Sequence, residues 1–87
     1  MHEAMAVYVN KLRTRFGSMS LCHLLADTED ELHAMAARIG LEPGLRQDGV
    51  VPHYDLSLAK RDAAIAEGAI VIDRRQLKEL IRKYRRP

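Results

Sequence analysis

Four side chains have the types and spacing for metal or acid–base chemistry: His23, Asp27, His53 and Asp55. Cys22-His23-Leu24-Leu25-Ala26-Asp27 ends an apolar run, and alternation along a strand puts His23, Leu25 and Asp27 on one face. In His53-Tyr54-Asp55, held extended by Pro52, the His and the Asp again share a side. If the two halves face each other, two imidazoles and two carboxylates make a site for a divalent metal such as Zn, Mn or Fe, or for a His base oriented by a carboxylate. The structural alternative is a hydrogen-bonded histidine inside a strand, with Asp27 competing as a helix cap before Thr28. The spacing lacks the closely paired ligands of a zinc motif, and Cys22 is expected to face the core.

A third cluster is Ser57, Lys60 and Arg61, at the start of a helix that follows His53-Tyr54-Asp55. Free amides, a hydroxyl and two cations at a helix N-terminus suit a phosphate, with His53 and Asp55 adjoining. Set against this are solvated helix charges: Lys60 and Arg61 diverge by about 100°, and Asp55 and Asp62 oppose an anion. The chain has no glycine-rich phosphate loop.

The elements that must position these residues follow from periodicity. Ala6-Val7-Tyr8-Val9 reads as a strand, followed by a polar stretch from Asn10 to Ser18, and Met19 to Ala26 reads as a second, buried strand. Thr28-Glu29-Asp30-Glu31 has the form of a capping box, with Leu32, Met35, Ala36 and Ile39 as one helical stripe and Gly40 as its stop. After a connector from Gly40 to Pro52, a second helix capped by Asp55 or Ser57 runs to about Glu67 and closes at Gly68. Ala69-Ile70-Val71-Ile72 reads as a fully buried strand, and Asp73 caps a last helix with the stripe Leu77, Leu80, Ile81 and Tyr84. The predicted fold is α/β: one small domain over residues 1–87, a short sheet with three helices packed on it in the order β-β-α-α-β-α. A further strand near Val50-Val51 is open, and residues 1–4 are expected to be a flexible extension.

Composition bounds the function. The 87 residues carry 14 Lys and Arg against 12 Asp and Glu, but unevenly. From Asp27 to Asp48 six acids face two bases, whereas from Asp73 onward seven bases face Asp73 and Glu79. The basic last helix offers Lys and Arg to phosphate backbones, while the acidic middle would suit a basic protein partner. No apolar run reaches the roughly 18 residues of a membrane span. A lone cysteine and no signal pattern near Met1 point to a cytoplasmic protein.

Taken together, Met5-Ala6-Val7-Tyr8-Val9, Cys22-His23-Leu24 with Ala26-Asp27-Thr28, Glu31-Leu32-His33 with Ala36 and Ile39-Gly40, and His53-Tyr54-Asp55 with Lys60-Arg61 resemble a family of small bacterial and phage proteins known as a domain of unknown function. The resemblance runs from about Met5 to Ile81. It implies a bacterial or phage origin and a start at Met5, and no activity. Three functions follow from the residues. The first is a binding module for a nucleotide or nucleic acid, taking phosphates at His53, Asp55, Ser57, Lys60 and Arg61. The alternative is a small metal- or His-dependent phosphoester hydrolase using His23, Asp27, His53 and Asp55. A protein-interaction subunit is a third.

Overall fold

The structure, a computed structural model, describes residues 6–10, 14–16, 19–48 and 51–84. The expected extension at residues 1–4 lies outside them. Three apolar runs become the sheet that the sequence predicts. β1 (Val7–Asn10) pairs antiparallel with β3 (Met19–Ala26), Val9 opposite Leu24, and parallel with β5 (Ile70–Ile72), Val9 opposite Val71. Two short strands complete it. β2 (Thr14–Phe16) pairs with the first half of β3, and β4 (Tyr54–Leu56) pairs antiparallel with its middle, His23 opposite Asp55. β1, β4 and β5 therefore run one way and β3 the other.

The strand content differs from expectation in three places. Thr14–Phe16 was to be part of a polar connector, but its pairing with β3 supplies an order that the alternation of charged residues does not advertise. The open strand near Val50-Val51 is instead Tyr54–Leu56; Val51 sits in a bend, and residue 50 lies outside the described part. β5 is not fully buried: Ile70 and Val71 are 50% and 39% exposed, because β5 pairs only with β1 among the described strands. The order is thus β-β-β-α-β-α-β-α.

Helices cover both faces. α1 (Glu29–Arg38) starts at the capping box: the Thr28 hydroxyl accepts from the Glu31 amide and the Glu31 carboxylate accepts from the Thr28 amide. Its stripe Leu32, Met35, Ala36 and Ile39 is buried against Val7, Val9, Cys22, Leu24 and Leu56, with Ala64 of α2 (Leu58–Ala66) beside it. Gly40 and Gly68 close these helices with φ of 81° and 108°, the left-handed geometry that costs glycine little. α3 (Arg74–Tyr84), capped by Asp73 accepting from the Gln76 amide, lays Leu77, Leu80, Ile81 and Tyr84 on the opposite face over Tyr8 and Leu25. The alternation of β1 and β3 sets this partition: Val7, Val9, Cys22, Leu24 and Ala26 point to α1 and α2, while Tyr8, Asn10, His23 and Leu25 point to the face of α3.

Candidate functional site

Because His23 lies opposite Asp55 across the β3–β4 ladder, both side chains rise on the α3 face of the sheet. His53, two residues before Asp55, joins them through the bridge pairing of its backbone with Gln47. One ligand-type atom from each of His23, His53 and Asp55 falls within 4.8 Å of the others. Asp55 Oδ1 is 3.4 Å from His23 Nε2 and 3.8 Å from His53 Nε2, and the two rings meet edge to face with centroids 4.9 Å apart. Leu25, Val51, Leu77 and Ile81 form the apolar wall of the groove, of about 160 Å³, into which the histidines open.

Three neighbours that the sequence did not single out as site residues orient this cluster. The Asn10 side chain, 4% exposed at the end of β1, accepts from the His23 backbone N–H through Oδ1 (3.0 Å) and lies 3.2 Å from His23 Nδ1 through Nδ2. His53 Nδ1 is 3.0 Å from the Val51 carbonyl, which can only accept, so Nδ1 carries the proton and Nε2 of the neutral ring keeps its lone pair. Gln47 Nε2 donates to Asp55 Oδ2 at 2.7 Å. Asn10 fell in the predicted polar stretch and Gln47 in the connector. A polar residue directly after an apolar strand is the one clue that Asn10 left. Burial, together with the nearby His53 charge, holds the His23 imidazole below its ordinary pKa, and Asp55 opposes that shift.

Asp27 is elsewhere. β3 runs against its neighbours, so four residues carry the chain about 13 Å from His23 to the opposite end of the sheet. There the Tyr8 hydroxyl donates to Asp27 Oδ1 at 3.0 Å and Lys83 Nζ reaches it at 3.4 Å. The proposed phosphate cradle is also spread out. Ser57 caps α2 by accepting from the Lys60 amide, whereas Lys60 Nζ donates to the Ile39 carbonyl at 2.7 Å and so finishes α1. Arg61 Nε is buried with no partner among the described residues, and Nη1 is 3.9 Å from Asp62. Cys22 is buried among the core residues.

His53 Nε2 and Asp55 can hold a divalent ion as they stand. His23 can join them only if its Nε2 is free of a proton.

An α/β sheet with helices on both faces and a two-histidine, one-carboxylate cluster at one end of its central antiparallel pair is the class defined here. The chain belongs to the family described as protein of unknown function DUF4031, which matches residues 7–84. It is similar to two proteins named Endonuclease NucS. The one from Frankia alni is 43% identical over 51 residues, covering 59% of this chain and 23% of that protein. The one from a Parafrankia species is 39% identical over 51 residues with the same coverage. The matched part is under a quarter of either relative. No solved structure matches the chain. Among the described residues, no helix is long and apolar enough to cross a membrane.

Proposed function

We propose that this domain engages nucleic acid through its phosphodiester backbone and hydrolyses it at the His23–His53–Asp55 cluster. The observation that carries the reading is the basic lone pair of His53 Nε2, left free by the Val51 carbonyl and set 3.8 Å from the Asp55 carboxylate in an open groove. A water held between these two acceptors donates to both. Its oxygen bonds to phosphorus as its proton passes to His53 Nε2, the phosphorus bond to the leaving oxygen breaks, and the imidazolium returns the proton to that oxygen. Charge on the phosphoryl group is met by hydrogen-bond donors and by α3, whose Leu77 and Ile81 line the groove and whose Arg74, Arg75 and Lys78 are exposed. Similarity to proteins named as endonucleases supports a nucleic-acid substrate.

A second reading, binding without turnover, is favoured by the openness of the site: among the described residues no segment closes over the histidines to exclude water. One experiment separates the two. Labelled single- and double-stranded DNA and RNA are incubated with the wild type and with His53→Ala, and binding and cleavage are measured side by side. Cleavage that disappears in His53→Ala while binding persists is the expected result. Binding with no cleavage by the wild type leaves the second reading, and absence of binding at low salt overturns both.

A further inference from the structure

The two histidines of the cluster are chemically unlike, and one buried amide makes them so. A backbone N–H can only donate, so the Asn10 atom facing the His23 N–H at 3.0 Å is the carbonyl Oδ1. The other end of the amide, the Nδ2H₂ group, then faces His23 Nδ1 at 3.2 Å. An NH₂ group can only donate, which makes Nδ1 the acceptor and leaves the ring proton on Nε2. Rotating the amide by 180° would set NH₂ against the backbone N–H, and Asn10 is too buried for water to relieve that clash.

We propose that Asn10 is a tautomer lock: it keeps the His23 proton on Nε2, the atom 3.4 Å from Asp55 Oδ1, and thereby keeps a three-ligand divalent-metal site from forming among His23, His53 and Asp55. His53 is fixed in the opposite sense by the Val51 carbonyl, so the cluster consists of one donor ring, one acceptor ring and a carboxylate between them. A neutral Nε2–H donates a hydrogen bond to an oxyanion but does not give up its proton near neutral pH. His23 is therefore an electrostatic partner for a bound phosphoryl oxygen, Asn10 is a positioning residue, and His53 is the group that exchanges protons. An aspartate at position 10 would reverse the lock. One carboxylate oxygen would accept the His23 backbone N–H and the other would accept Nδ1–H, so the Nε2 lone pair would face His53 and Asp55, the carboxylate–histidine arrangement common behind metal ligands.

The inference concerns the cluster of the proposed function, but its test involves no nucleic acid and so fails or succeeds separately. In two-bond ¹H–¹⁵N correlation spectra of the wild type above neutral pH, His23 is expected as the Nε2–H tautomer and His53 as Nδ1–H. Finding His23 protonated on Nδ1 overturns the proposal. Zn²⁺ and Co²⁺ titrations then compare the wild type with Asn10→Asp. The variant is expected to bind at least tenfold more tightly and to gain the visible absorption of low-coordinate Co²⁺ with nitrogen ligands. Equal affinity in the two proteins overturns the lock, and the spectrum of the unaltered protein decides the question should the variant not fold.

Discussion

At the scale of single residues, the His23 imidazole links the site to stability. Burial, first, and the His53 charge hold its pKa below the ordinary value, against the pull of Asp55. The native state therefore prefers the neutral ring, and His23 contributes stability that is present above about pH 6.5 and lost as pH falls below it. The melting temperature is expected to fall between pH 7 and 5, and His23→Asn to flatten that fall. A profile as steep in the variant would place the titrating group elsewhere. The tyrosines act in the alkaline range. Burial and the hydrogen bond to Asp27 push Tyr8 up to about 12, and burial also raises Tyr54 and Tyr84. The neutral form of Tyr8 stabilises the fold up to about pH 10, and that contribution is lost as pH climbs toward 12, with Tyr54 and Tyr84 acting in the same direction. An ultraviolet titration of the native protein should show little tyrosinate at pH 10, whereas the unfolded chain is half ionised there. His23, His53 and Asp55 were legible in the sequence because strand alternation is local. Asn10 was not, because its partner is thirteen positions away and the tautomer it imposes exists only once β1 and β3 pair.

At the scale of elements, the helices were the legible part, since caps and stripes are written within a few residues. Thr28 shows this most directly, and Thr28→Ala should cost about 1 kcal/mol, a drop in melting temperature of roughly 4–8 °C for a domain of this size. Thr14–Phe16 was illegible for the complementary reason, since only pairing with β3 makes it a strand; at Tyr54–Leu56 the extended form was legible but its ladder partner was not. β3 also explains why Asp27 leaves the cluster, since the direction of a strand relative to its neighbours is a property of topology. Lys60 has the same character. Its placement at the start of α2 suggested a phosphate ligand, but its ammonium lies 2.7 Å from the Ile39 carbonyl, where a Cβ on Gly40 would meet it at 3.3 Å. Lys60→Met should lower thermal stability by removing a charged donor from the end of α1, and should leave nucleic-acid affinity unchanged. Weakened affinity at preserved stability would return Lys60 to the binding surface.

At the scale of the whole molecule, a formal charge of +2 understates what a nucleic acid would meet. The acids from Asp27 to Asp48 are partly matched internally: Arg46 holds Glu29 at 2.7 Å and Asp48 at 2.8 Å, and Lys83 approaches Asp27. On α3, Arg74, Arg75 and Lys78 stand exposed next to the residues that wall the histidine groove. Backbone binding on this face would be governed by counterion release, so the logarithm of affinity should fall linearly with the logarithm of salt concentration. Each cation that contacts a phosphate adds close to one unit to that slope on duplex DNA. The double substitution Arg74→Ala, Lys78→Ala should therefore reduce the slope by about two units, with equal weakening across sequences because phosphate contacts carry no base information. His53→Ala should retain the wild-type slope while losing cleavage, since the cations of α3 stay in place. A slope unchanged by the double substitution would move the nucleic-acid surface off α3. The histidine cluster would then lack the cations beside it that a phosphodiester requires, and its chemistry would have to be sought on a neutral substrate.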